Sequence, residues 1–284
     1  MIVAISFGDK RWKAAQHLNA RTARRFGADK VIRYTPDDLD EEFCRKNRSI
    51  LEQKRGYGYW IWKPYVLHKA LQTVQDGDYV MYVDCGAAYV NDISNLIRVM
   101  ERDKQDVMCF CIRQMERRWN KRDNLILQEA DTPEILESNQ ICGGYILLRK
   151  TERSCKLIEQ FLAYVQDERM LTDMPNVLGV DNYPDFIEHR HDQAIWSVLC
   201  KKNHILPYRD PSQYAYQSDS HTKEGIPFPQ DVLDRSTFPQ IVESHRHGNC
   251  RFYFELRAAD KWYHAMCRFF YNGLVGLKKK IVKH

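Results

Sequence analysis

The sequence lacks the marks of several large protein classes. No run approaches the ~20 apolar residues that a helix needs to cross a bilayer. The opening MIVAISFGDKRW has neither a positive start nor an apolar stretch of leader length, so no signal peptide is expected. There are nine cysteines, an odd number, and no CxxC pair. That pattern argues against a secreted disulfide scaffold and fits a reducing, cytoplasmic setting. Cys109, Cys111, Cys142 and Cys200 lie in apolar runs and read as small core residues. Internal repeats and low-complexity linkers are missing too. Neither sign of charge dominates, since the formal net charge is only +5. Basic residues cluster at Arg21, Arg24 and Arg25, over 113–122 and over 278–283, but no nucleic-acid-binding module accompanies them. A membrane surface or a phosphate-bearing ligand accounts for them as well.

What is present is a globular composition. The 284 residues are 44% hydrophobic, enough for a sizeable core, and 29% charged, which argues against a disordered chain. Aromatics reach 12%, and tyrosine leads them with 16 copies. Its apolar ring and polar tip suit a surface that binds sugars or peptides. The length fits one α/β domain with additions.

Patterning supplies the elements. Strands are expected at 2–7, 31–34, 79–83, 107–112, 140–148, 204–208 and 240–243. Helices are expected at 11–26, 37–47, 65–74, 93–101, 151–166, 191–201 and 255–270, with Pro64 opening one of them. Residues 171–188 and 210–239 read as loop. Strands that alternate with helices predict an α/β fold with a mainly parallel sheet. Residues 1–250 form the domain. Residues 251–284 are expected to form a C-terminal helix and basic tail, able to lie on an anionic bilayer or to dock with a solvated end.

Four segments carry chemistry. The run Tyr79-Val80-Met81-Tyr82-Val83-Asp84-Cys85-Gly86 is a buried strand that delivers one carboxylate to its C-terminal end, where α/β sheets bind ligands. Gly86 lets a large ligand approach the backbone. A strand-end turn capped by Asp84 is the alternative. In GYGYWIWKP, 56–64, glycines allow tight turns beside Arg55 and Lys63, two cations suited to a diphosphate. Tyr57, Tyr59, Trp60 and Trp62 offer flat faces for a base or a sugar, or else an inward-packed aromatic cluster. At Arg190-His191-Asp192-Gln193 a helix opens with an acid in its first turn. Helix-dipole capping alone would explain that acid. Finally, His245 and His247 flank Arg246, and spacing of two on an extended chain puts both imidazoles on one face.

Together these segments resemble the GT-A glycosyltransferases, over most of the chain from Met1 to about His247. The Asp84 strand is similar to their DxD region, which holds Mn²⁺ or Mg²⁺ against the donor diphosphate. This sequence has Gly86 where the second acid should be. The GYGYWIWKP block resembles one found in a subset of bacterial capsule and O-antigen transferases. The resemblance implies a hexosyltransferase that moves a sugar from a nucleotide sugar, a UDP-sugar, to a glycan or lipid-linked glycan during surface polysaccharide synthesis. It places Asp192 and Gln193 at the reaction centre, with Asp192 as general base if the displacement inverts, or with the segment at the β-face if it retains. It implies donor contacts from Ser6, Phe7, Gly8, Arg55, Tyr57, Trp60, Lys63, Asp84, Gly86 and Arg246. Acceptor contacts are implied from Gly143, Gly144 and His191. A metal, Mn²⁺ or Mg²⁺, would rest on Asp84, His245 and His247. The enzyme is expected in the cytoplasm, at the inner face of the membrane, without a nucleic-acid partner.

Two other classes stay open. A nucleotidyltransferase also uses acidic strand ends, but it would show a Gly-rich phosphate loop near the first strand, and SFGDKRW is not one. A non-catalytic carbohydrate-binding protein would bind nucleotide sugars without turnover.

Overall fold

The computed structural model describes residues 1–215, 225–246 and 248. Nine strands occur among them: β1 (Ile2–Phe7), β2 (Lys30–Tyr34), β3 (Tyr79–Val83), β4 (Ala87–Tyr89), β5 (Val107–Met115), β6 (Asn139–Ile141), β7 (Tyr145–Arg149), β8 (Pro207–Arg209) and β9 (Val242–Ser244). Seven make one sheet in the order β2-β1-β3-β7-β5-β6, with β8 also paired to β5. β1 runs parallel to β2 and β3, and β8 parallel to β5. β7 is antiparallel to both β3 and β5, and β6 antiparallel to β5. The remaining two strands, β4 and β9, form a short antiparallel ribbon. This is the α/β class expected from the alternation of strands and helices.

The period-2 alternation of strand side chains explains why both sheet faces are covered. Val3, Ile5, Phe7, Val80 and Tyr82 face one core, with the helices Trp62–Gln72, Glu152–Val165 and Asp192–Lys202. Ala4, Tyr79, Met81 and Val83 face the other, with the helix Ser94–Arg102. β3 is therefore buried and non-charged at every position, as the run 79–83 suggested. Trp196 is fully buried and its ring lies 5.2 Å from Phe161. Burying such side chains contributes about 1.5–3 kcal/mol each.

The expected strand at 140–148 is two strands, because Gly143 and Gly144 interrupt it between β6 and β7. Among its described residues, the stretch 210–239 carries the 3-10 turn Gln213–Ala215 and the helix Gln230–Arg235. Cys109, Cys111 and Cys200 are buried as expected, whereas Cys142 is only half-buried and reaches the cleft described below. The expected helix at 255–270 and the basic tail lie outside the described residues. Among the described residues, no helix is long and apolar enough to cross a membrane.

Candidate active site

Three chain segments meet at one end of the sheet. β1 and β3 are parallel and both finish there, at Phe7-Gly8 and at Asp84. β7 is antiparallel to β3, so its beginning lies at the same end, with Val83 opposite Tyr145. The Asp84 amide donates to the Gly144 carbonyl at 2.9 Å, which continues the ladder past β3. The N-terminus of the helix Asp192–Lys202 closes in from the side, its Gln193 Oε1 accepting from the Gly143 amide at 3.1 Å. The crevice at the carboxyl ends of strands is where open α/β sheets bind ligands. Here it is a cleft of about 740 Å³.

At the floor sits a buried cation between two carboxylates. Lys63 Nζ donates to Asp192 Oδ2 at 2.5 Å and stands 3.7 Å from Asp84 Oδ1. Lys63 and Asp192 are each about 3% exposed, whereas the Asp84 side chain is 46% exposed to the cleft. Burial pulls the Lys63 ammonium down, but Asp192 and Asp84 outweigh it and its pKa lies above the ordinary value. Burial pushes Asp192 up to about 6, against the pull of Lys63. Tyr82, two residues before Asp84 and on the same strand face, donates its hydroxyl to Asp84 Oδ1 at 2.6 Å. Glycines clear the ground around these groups. A Cβ at Gly144 would stand 3.0 Å from Asp84 Oδ2, and one at Gly143 3.0 Å from Gln193 Cβ.

Gly86 has its own reason. A Cβ there would meet the Trp12 ring at 3.2 Å and the Arg246 Cα at 3.4 Å. The ribbon of β4 and β9 carries His245 and Arg246 across Gly86, whose carbonyl accepts from both amides at 2.9 Å. A side chain in place of Gly86 would need the Trp12 ring to shift by a few tenths of an ångström and would sit in van der Waals contact with that crossing.

GYGYWIWKP does not run extended. Gly56, Tyr57, Gly58, Tyr59 and Trp60 all have positive φ, from 53° to 78°, so the chain makes a left-handed hook. Each non-glycine residue there costs roughly 1–2 kcal/mol of backbone strain, and packing holds them in place. A Cβ at Gly58 would come within 2.9 Å of the Leu51 Cα. Gly58→Ala should therefore destabilise the protein by about 2 kcal/mol or more. A thermal melt checks this, and an unshifted midpoint would mean that the hook is not needed. The hook gives the two tryptophans different partners. Trp62 stacks on Phe7 with ring centroids 3.9 Å apart and donates its indole N–H to the Gly56 carbonyl. Trp60 lines the cleft and stacks on His191 at 5.7 Å.

Of the residues expected at the site, Phe7, Gly8, Arg55, Tyr57, Trp60, Lys63, Asp84, Gly86 and Arg246 line the cleft. So do Gly143, Gly144, His191, Asp192 and Gln193. Ser6 does not: it is fully buried one residue inside the strand, and Gln16 closes over its carbonyl. His191 is only 1% exposed and bonds the Leu171 carbonyl through Nδ1. Its φ of 53° with ψ of −123° is strained backbone immediately before Asp192. The ring thus pins the helix start. His245 is not among the lining residues, and His247 lies outside those described. Of the expected metal set, Asp84 alone lines the cleft among the described residues, and no three His, Cys, Asp or Glu side chains among those residues group to hold an ion.

Several lining residues were not anticipated: Trp12, Tyr82, Arg113, Arg190, Asp210 and Tyr214. Tyr82 was legible from its period-2 relation to Asp84. Arg190 adjoins a segment already singled out. Its pKa is lowered, by burial first and, against Glu188, by the charges of Arg246 and Arg55. Arg190 is not left unbalanced, because Glu188 bridges it to Arg55, at 3.0 Å and 2.9 Å, and Asp173 pairs with Arg55 at 3.2 Å.

No family model and no curated protein matches the chain. Solved structures similar to it are glycosyltransferases. Mouse xyloside xylosyltransferase 1 shares 11% identity over 88% of this chain and 99% of its own, with a TM-score of 0.47. The bifunctional glycosyltransferase WbbM shares 10% over 86% of this chain, but only 45% of its own, at 0.49. The galactosyltransferase LgtC shares 14%, over 86% of this chain and 87% of its own, at 0.44.

Proposed function

We propose that the protein is a glycosyltransferase of the GT-A type that moves a hexose from a UDP-sugar to a glycan or lipid-linked glycan acceptor in surface polysaccharide synthesis. The observation that carries this reading is the Asp84–Lys63–Asp192 cluster on the floor of a cleft walled by arginines and aromatic faces. Sugar hydroxyls need acceptors such as these carboxylates, a leaving diphosphate needs cations, and a base needs a flat face.

In this reading the donor lies toward Phe7, Gly8 and the hook, with the nucleotide against Tyr57 or Trp60. Its diphosphate takes Arg55, Arg190 and Arg246, all of which line the cleft. Asp84 accepts from the donor sugar, oriented by the Tyr82 hydroxyl. Asp192 removes the proton from the acceptor hydroxyl as the new bond forms, and Gln193 with Gly143-Gly144 lines the sugar wall. Lys63 keeps Asp192 ionised although it is buried. The unlike environments of the two acids, one half-exposed and one buried, suit them to different tasks.

Mn²⁺ or Mg²⁺ fits the described residues poorly. The side of Asp84 that faces Asp192 is taken by the Lys63 ammonium, so this pair of acids offers such an ion one carboxylate, and in this reading Arg55, Arg190 and Arg246 of the lining supply the positive charge. Exhaustive chelation should leave turnover within about twofold, since a leaving phosphate needs positive charge of any origin. Loss of activity on chelation and recovery with Mn²⁺ would assign the charge to an ion instead.

The proposed base also predicts a pH profile. Asp192 acts deprotonated and its pKa lies at about 6. Hence kcat/KM should fall tenfold per pH unit below about 6 and level off above it. A flat profile between pH 5 and 7, read at saturating donor, would count against the assignment. The function itself is tested by incubating the protein with a panel of nucleotide sugars and following nucleotide release. Binding without release would favour a non-catalytic carbohydrate-binding protein. Transfer of a nucleotidyl group would favour the nucleotidyltransferase.

A further inference from the structure

Behind the cleft wall lies a buried acid that the proposed reaction does not use. Glu116 follows β5 and is fully buried. Its Oε1 accepts from Asn120 Nδ2 at 2.9 Å and from Gln140 Nε2 at 3.1 Å. Its Oε2 accepts from Ser197 Oγ and from Lys201 Nζ, both at 2.5 Å. A carboxylate cannot donate, so each neighbour must turn a proton toward it. Gln140 does so with one amide proton and gives the other to the Trp119 carbonyl at 3.2 Å. Both its protons are then spent, and its Oε1 is left facing Gln193. Gln193 must donate there, which it does through Nε2 at 2.8 Å. That fixes Gln193 Oε1 on the opposite side, where it accepts from the Gly143 amide. Every bond in the relay depends on the direction of the one before it.

From this one-way relay we infer that Glu116 is a positioning residue. It sets which end of the Gln193 amide faces Gly143, and so the polarity of the sugar-binding wall, a role that rests on the glycosyl-transfer reading. The relay ends against the reacting groups: a Cβ on Gly143 would lie 3.3 Å from Asp192 Oδ2. A fully satisfied buried network is rigid, and its polarity cannot drift. Reversing Gln193 would set its NH₂ against the Gly143 N–H, two donors facing each other.

Glu116→Gln tests this. It keeps the shape but adds an NH₂. The Lys201 ammonium takes the oxygen of the new amide, so the NH₂ turns to Gln140 and reverses the relay. Adding Gln140→Glu repairs the direction, because a carboxylate at position 140 accepts from the amide at position 116 and from Gln193, at the loss of the bond to Trp119. Gln140→Met cuts the relay while leaving Glu116 its other three partners. In E116Q and Q140M, kcat should fall on the order of 10- to 100-fold with the donor KM unchanged, as misplaced reacting groups do. Amide exchange at Gly143 should rise about tenfold or more, from loss of its hydrogen bond. E116Q/Q140E should recover both. Wild-type Gly143 exchange and kcat in Q140M, or a double variant no better than E116Q, would overturn the inference. The exchange measurement needs no substrate, so it judges the relay even for a protein that transfers no sugar. That outcome would count against the glycosyl-transfer reading alone.

Discussion

Lys63→Met is expected to cost both stability and turnover, and a second variant separates the two. The ammonium is buried, 2.5 Å from Asp192 and 3.7 Å from Asp84. Without it Asp192 is a buried charge beside a like charge. Taking one partner from a buried pair costs about 3–5 kcal/mol. The carboxyl can escape that penalty only by keeping a proton. Lys63 is what lowers the Asp192 pKa against burial, so its loss moves that pKa up from about 6. A base that is protonated at neutral pH is inactive, and the acidic limb of the rate profile should shift to higher pH. Lys63→Met combined with Asp192→Asn leaves no orphaned charge at Asp192. That double variant should regain most of the lost stability and none of the activity. Melting temperatures and pH–rate profiles on the two proteins check this. A Lys63→Met protein whose acidic limb stays in place would show that Lys63 does not govern Asp192.

The sheet was legible because its strands are buried on both faces. Such strands leave unbroken apolar runs, and Ile2–Phe7 and Tyr79–Val83 were placed to the residue. Asp84 was legible for the same reason, as the first charge after such a run. Alternation also explains the error at Ser6. A strand end offers only every second side chain to the cleft, and Phe7, not Ser6, turns that way. The left-handed hook was half visible. Gly56 and Gly58 announced a turn, but positive φ at Tyr57, Tyr59 and Trp60 is imposed by packing that no local propensity records. The Lys63–Asp192 pair spans 129 residues of sequence. Each partner was singled out alone, and only the fold shows that they neutralise one another. Glu116 was hidden by its company, since it sits in the basic run 113–122 that reads as solvated surface. Its burial follows from Ser197, Lys201 and Gln140, which arrive from distant segments.

Asp192→Asn should produce the largest loss of turnover. The reaction must remove a proton from the acceptor hydroxyl as the glycosidic bond forms, and a carboxylate within reach typically contributes ~10²–10⁴-fold. Asparagine keeps the shape of the side chain, and its carbonyl still accepts from Lys63, so the floor of the cleft should stay in place. The nucleotide lies toward Phe7 and the hook in the proposed reading, so UDP affinity should be retained. The competing role is structural. Asp192 opens its helix, where an acid contributes about 0.3–1 kcal/mol, and it also neutralises the buried Lys63, a pairing whose loss costs up to about 3–5 kcal/mol. A purely structural acid would give a variant that melts somewhat earlier yet turns over normally. The pH profile adds a second discriminator. If Asp192 is the group that titrates near 6, its acidic limb must vanish from whatever activity remains. Melting temperature, UDP affinity and the pH dependence of kcat, measured on one preparation, decide between the roles. A variant with wild-type kcat and an intact limb would leave Asp192 as a helix-start residue and move the search for the base to Asp84, the other carboxylate within reach of Lys63.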